Sequence, residues 1–115
     1  EKDARACEKV ALMKIARRLP QAEQDIKAAA RYYAIERAAV ANLFLHEVKR
    51  ATSRIEEMPA IGSPHFAVEL DVEGLRAYPL RNFPYLLFYF EYDDHIDLVR
   101  VLHSHRDVFG LSFET

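Results

Sequence analysis

The sequence predicts an α+β fold: an N-terminal strand, a helical hairpin, and a C-terminal three-stranded antiparallel meander whose sheet carries the hairpin on one face. Three observations predict it. Apolar residues recur at steps of three and four through residues 22–58, the period of a helix face. No Gly or Pro interrupts residues 21–58. Beyond residue 74 the chain breaks into strand-length runs rich in aromatic and β-branched residues, separated by turn residues. Helices gathered between strands, without βαβ alternation, is the α+β order.

A chain of 115 residues has room for one domain. Residues 1–12 read as an N-terminal extension, polar and alternating in sign, suited to a short exposed helix or a frayed tail. The domain then spans residues 13–115, with Met13 as a possible internal start. Met13, Ile15 and Arg17 alternate with Lys14, Ala16 and Arg18, which predicts a short strand ending at Leu19-Pro20. Pro20 opens a helix, since proline is tolerated in a first turn, and Glu23 and Asp25 fall where the helix dipole favours negative charge.

Ala22, Ile26, Ala29 or Ala30, and Tyr33 form one apolar face. A second stripe of Ala41, Phe44, Val48, Ala51, Ile55 and Met58, widened by Leu45, forms another. A single helix from Gln21 to Met58 would run ~57 Å at 1.5 Å per residue, too long for one domain of this size, so the chain must turn around Ile35–Ala38. Pro59, Gly62 and Pro64 end the second helix, and a weakly patterned stretch follows to Asp71. Glu73-Gly74 leads into a strand at 75–81, Asn82-Phe83-Pro84 turns the chain, and Tyr85–Tyr92 reads as a central strand apolar on both faces. Asp93-Asp94 makes a tight turn into Ile96–His103.

Half of the residues are hydrophobic and 30% are charged, which suits a packed globular chain. No stretch approaches the ~18 consecutive apolar residues of a membrane span, and nothing resembles a signal peptide. Cys7 is the single cysteine and cannot form an internal disulfide, so a reduced, cytoplasmic setting is expected. Residues 13–54 carry nine Lys or Arg against four Asp or Glu, and residues 55–115 carry four Arg against eleven acids. With a pI near 6.2 the chain lacks the basic excess of proteins held on nucleic acid by charge.

Only three glycines exist, so no phosphate-cradling loop can be built, and the hydrolase, zincin and redox motifs are missing too. No cofactor or metal is therefore expected. His103-x-His105 could share an ion from one side of an extended segment, but no third ligand is evident; His46 reads as a core-edge histidine. The constellation that could carry function is Arg76, Arg81, His103 and Arg106. An imidazole with fixed cations is what metal-independent RNA cleavage requires. The same set would serve as a protein-binding patch, since Arg is enriched in interface hot spots, or as solvated strand residues paired with nearby acids.

Several strings, in order and with compatible spacing over residues 13–107, resemble one family. They are Ala22-Glu23-Gln24-Asp25-Ile26, Tyr32-Tyr33-Ala34, Met58-Pro59-Ala60-Ile61-Gly62 and Gly74-Leu75-Arg76. Phe83-Pro84-Tyr85-Leu86-Leu87-Phe88-Tyr89, Val99-Arg100-Val101-Leu102-His103 and Arg106-Asp107 complete the series. This succession resembles the ParE branch of the ParE/RelE toxins of bacterial type II toxin-antitoxin systems. The resemblance implies a toxin neutralised by a cognate antitoxin, ParD-like or other, in a hetero-oligomer, with DNA gyrase as its target and Arg76, Arg81, His103 and Arg106 as target-binding residues.

It also implies action by protein binding, without direct sequence-specific contact to nucleic acid. The RelE branch instead cleaves mRNA on the ribosome. Its members are strongly basic and carry an arginine roughly where this chain has Leu86, and this chain has no lysine after Lys49. A RelE-like nuclease using His103 with Arg76, Arg81 and Arg106 is the alternative reading, and a non-toxic member that only binds its antitoxin is a third.

Overall fold

The computed structural model describes residues 14–104. The N-terminal extension, His105 and Arg106 lie outside the described residues. The elements are β1 (Ile15–Arg18), α1 (Pro20–Glu36), α2 (Ala38–Glu57), a 3-10 turn (Pro59–Ile61), α3 (His65–Glu69), β2 (Arg76–Pro79), β3 (Tyr85–Glu91) and β4 (His95–His103). The sheet order is β1-β4-β3-β2. β4 pairs antiparallel with β3, β3 with β2, and β1 lies parallel to β4 with Ile15 opposite His95 and Arg18 opposite Leu98. The α+β architecture, the hairpin and the meander are thus as the sequence predicts.

Pro20 is the first residue of α1, and the chain turns between the helices at a single residue. Arg37 is extended (φ −159°, ψ 126°), and its N–H still donates to the Tyr33 carbonyl at 3.0 Å. Neither Gly nor Pro is needed there, because an extended residue suits any side chain. Ala22, Ile26 and Ala29 of α1 and Ala41, Phe44, Val48, Ala51 and Ile55 of α2 are buried, so the two predicted stripes meet the sheet as one layer.

Two positions of the α2 stripe depart from the prediction. Met58 is 52% exposed, because α2 stops at Glu57 and Met58 (φ −142°, ψ 85°) leaves the helical phase. Leu45 is 37% exposed and lines a groove with Arg18 of β1 and His46 and Lys49 of α2. The weakly patterned stretch before Asp71 forms α3, whose Phe66 and Ala67 pack with Leu70 on the far face of the sheet against a core of Leu75, Ala77, Phe88, Phe90, Val99 and Leu102. β3 is therefore buried on both faces, as its continuous apolarity predicts.

Asp25 does more than complement a dipole. Its carboxylate receives Arg100 Nε at 2.7 Å and Nη2 at 3.1 Å and the Val101 N–H at 3.0 Å, tying α1 to β4 beyond the end of β1. The buried Asp97 receives Arg17 Nε at 2.6 Å and so fastens β1 to its neighbour. Both outer strands are engaged by other parts of the chain. Ser63 exchanges two backbone hydrogen bonds with Ala77 of β2, at 2.8 and 3.0 Å, and Glu56 Oε2 accepts the Ala16 N–H of β1 at 2.8 Å.

Candidate functional site

Of the four residues singled out in the sequence, the structure describes Arg76, Arg81 and His103, and it separates them. Arg76 opens β2 opposite Tyr89, while His103 closes β4 opposite Tyr85. Those register positions are four residues apart along β3, about 13 Å at ~3.3 Å per residue. Arg76 is further committed to the fold, because its Nη1 donates to the Gly62 carbonyl at 2.7 Å and to the Ala60 carbonyl at 3.3 Å.

Tyr89 works beside Arg76 on the same segment. Its hydroxyl donates to the Pro59 carbonyl at 2.7 Å and accepts the Gly62 N–H at 2.8 Å. Burial pushes the Tyr89 hydroxyl above its ordinary value, against the pull of the Gly62 N–H, so the phenol keeps the proton it donates. Gly62 is required here by space, since a methyl group on it would lie 2.5 Å from Tyr89 Oη. The string from Met58 to Gly62 is thus a clasp closed by Arg76 and Tyr89 around the end of α2.

Arg81 and His103 share the other end of the sheet. Leu80 donates its N–H to the Tyr85 carbonyl at 3.0 Å, and Tyr85 stands opposite His103 on its other side. Arg81 and His103 therefore flank β3 about two strand spacings apart, on the order of 10 Å. Between them and the hairpin lies a cluster of rings. Phe44 and Phe83 are 5.3 Å apart, Tyr33 and Phe83 5.1 Å, Phe44 and Tyr85 5.4 Å, and His103 lies edge-on to Tyr85 at 5.4 Å. Edge-to-face packing of this kind adds roughly 0.5–1.5 kcal/mol per pair beyond area burial.

The Arg81 backbone is anchored by a residue that sequence reasoning passed over. Glu47 Oε2 accepts the Arg81 N–H at 2.6 Å, while both Glu47 oxygens accept Arg50 Nε and Nη2 at 2.8 and 2.7 Å. The Arg50 guanidinium holds the Glu47 carboxyl below the usual carboxylate range despite its burial, and the Arg81 N–H adds to that effect. Arg50 is in turn held above its ordinary value by Glu47 and by Tyr78, over whose ring it lies at 5.9 Å. The spacing of Glu47 and Arg50 on one helix signals a pair; the donor from the turn after β2 is invisible in sequence.

A groove of about 450 Å³ opens here, between Leu43, His46 and Glu47 of α2 and the turn Arg81-Asn82-Phe83. Asn82 takes a positive φ of 66°, which an asparagine accommodates better than most residues, and this fixes the turn that presents Arg81. Chemically, the groove presents the exposed Arg81 side chain and the His46 imidazole beside the apolar Leu43 and Phe83. Among the described residues no group of three or more His, Cys, Asp or Glu could hold a metal ion, and no helix is long and apolar enough to cross a membrane.

Comparison with known proteins bears on the family and the fold. The family described as the ParE toxin of the type II toxin-antitoxin system, parDE, matches residues 17–108. Among solved structures, a chain of the chromosomal ParDE TA system from P. aeruginosa has the same fold, with a TM-score of 0.67 at 16% identity over 81% of this chain and 97% of that one. A search of curated proteins finds no match.

Proposed function

The chain belongs to the ParE toxins of type II toxin-antitoxin systems, and from that premise we propose that it acts by binding a protein target in the cytoplasm. DNA gyrase is that target in this reading, and a cognate antitoxin of the ParD kind neutralises the toxin in a hetero-oligomer. The observation that supports binding over RNA cleavage is the dispersal of Arg76 and His103. Cleavage needs an acid or base and a cation within hydrogen-bond reach of one phosphate, about 3 Å. Here Arg76 and His103 stand about four strand residues apart, roughly 13 Å along the strand direction, and the Arg76 guanidinium is spent on two backbone carbonyls.

Arg81 and His103 remain at one end of the sheet as target-contacting residues in this proposal, with Arg106 following them in the chain. The deciding experiment places purified protein with gyrase and relaxed plasmid DNA, and in parallel with translating ribosomes. Loss of supercoiling or trapped cleaved DNA is the expected result. Site-specific mRNA cuts that His103→Ala abolishes in a protein with unchanged circular dichroism would overturn the proposal in favour of a nuclease.

A further inference from the structure

We propose that the edge strand β1 and a proton on His95 compete for one buried carboxylate, Asp97, so that acid loosens β1 from β4. In the parallel register Arg17 of β1 stands opposite Asp97, and Ile15 stands opposite His95. Asp97 Oδ1 is approached from two sides: Arg17 Nε donates to it at 2.6 Å, and His95 Nε2 lies 3.4 Å away. The other ring nitrogen, Nδ1, lies 2.6 Å from Asp94 Oδ1. The Tyr92 ring stacks on the imidazole, with centroids 4.8 Å apart and planes at 18°, and so restrains the ring with a carboxylate on either side. Only the imidazolium has a proton to present to both; the neutral ring turns a lone pair towards one of the two acids.

Charge sets the direction. The Asp97 side chain is 6% exposed and that of Arg17 66%, so the cation can leave into water with β1 while the carboxylate stays buried. With His95 neutral, release of β1 strands that carboxylate without a cation, which is costly. With His95 charged, the imidazolium remains beside Asp97 and release costs less. The neighbouring charges act in the same sense. β1 is preceded by Lys14, which pairs with Glu91 of β3 at 2.7 Å, and Asp93 adds an acid in the turn. The cations that arrive with β1 and the proton on His95 are thus alternative ways of neutralising the same acids. Asp94 stays with His95 whether or not β1 is attached, and its hydrogen bond with His95 holds its carboxyl below the usual carboxylate range. The other ties of β1 involve no imidazole: Leu19 N–H to the Leu98 carbonyl at 3.0 Å, Ala16 N–H to Glu56 at 2.8 Å and Arg18 to Glu23 at 2.9 Å. The released state binds more protons than the attached one, so attachment strengthens as pH rises.

The test follows hydrogen exchange of the whole chain by mass spectrometry at ~pH 5.5 and ~pH 8, a span over which an ordinary imidazole changes charge and ordinary carboxylates do not. Rates are divided by the intrinsic rate at each pH to give protection. Protection of the peptide covering residues 14–19 should be lower at the acid pH by about 5-fold, the size of effect that one partly exposed ion pair exerts, while protection of β3 stays constant. His95→Gln should abolish the difference. Arg17→Gln, at an exposed side chain, should abolish it too, with low protection at both pH values. His65→Gln on α3, whose side chain is 62% exposed, should leave it intact. Equal protection at the two pH values, higher protection in acid, or a fall shared by β3 would overturn the proposal. So would a difference that survives in His95→Gln or Arg17→Gln, or one that vanishes in His65→Gln.

Discussion

Asp25 grips Arg100 with both carboxylate oxygens across 75 positions of sequence, and the oxygen nearer Nε also takes the Val101 N–H. Both side chains are only about one-seventh exposed, 16% for Asp25 and 14% for Arg100. The pair is thus the main polar link between the hairpin and the last strand at the end that β1 does not reach.

Asp25→Ala should accordingly be one of the costliest polar substitutions in the protein. Removing one partner of a largely buried pair costs ~3–5 kcal/mol, and the Val101 N–H loses its acceptor as well. Thermal unfolding should show a midpoint lower by more than ~10 °C, with Asp25→Asn falling between the variant and the unmodified chain. A shift of only a degree or two would show that the pair is solvated in solution.

The clasp at Gly62 makes a non-additive prediction. Tyr89→Phe removes a donor and an acceptor from two backbone groups and should cost ~1–3 kcal/mol. Gly62→Ala should also destabilise, because its methyl group meets the Tyr89 hydroxyl. Combined, the two changes should cost less than their sum, since the phenylalanine lacks the atom that the methyl group strikes. Urea melts of the four proteins test this, and strict additivity would mean that the clasp opens to admit the alanine.

Stability should depend on pH through Glu47. Its carboxyl is depressed in the folded chain, chiefly by Arg50, so it binds fewer protons there than when unfolded. The resulting stabilisation is complete above the unfolded carboxyl value of ~4.3 and disappears as pH falls through the lower folded value. Urea midpoints compared between pH 6 and pH 3 should fall less in Glu47→Gln than in the unmodified protein. Equal falls would assign the acid sensitivity to other carboxylates.

Arg76 and Arg81 should separate by readout. Arg76→Ala frees the Gly62 and Ala60 carbonyls and should lower the thermal midpoint by several degrees, at about 1–2 kcal/mol. Arg81→Ala keeps the backbone N–H that Glu47 binds, so its midpoint should move little, while gyrase inhibition should weaken by an amount equivalent to ~1–4 kcal/mol. Toxicity lost in parallel with folding for both variants would remove Arg81 from the target contact.

The elements were legible because each announces itself locally. The α2 stripe, Pro20 and the β3 run are periodicity or backbone chemistry within a few residues. α3 was not, since its five residues span barely more than one turn and cannot display a period. The helix break at Arg37 could be inferred only from the size of the domain, as its dihedral angles ask for no special residue. The site was less legible than the fold. Sequence grouped Arg76 with Arg81 and His103 by residue type, whereas registry along β3 puts Arg76 at the far end. Asp25, Glu47 and Tyr89 owe their roles to partners 27 or more positions away, a distance over which no local pattern carries information.

Ser63 and Glu56 occupy hydrogen-bonding groups on the outer strands that a neighbouring molecule would otherwise seek. Exposed strand edges are where sheets recruit one another into aggregates. A small domain rich in buried aromatic strand residues is prone to that fate whenever it is released alone at high local concentration. With these groups on its margins already bonded by its own loop and helix end, the sheet offers fewer open partners for self-templating. Substituting Glu56 or loosening the Ser63 segment should therefore be felt first as cloudiness of concentrated solutions, before any loss of fold in dilute ones.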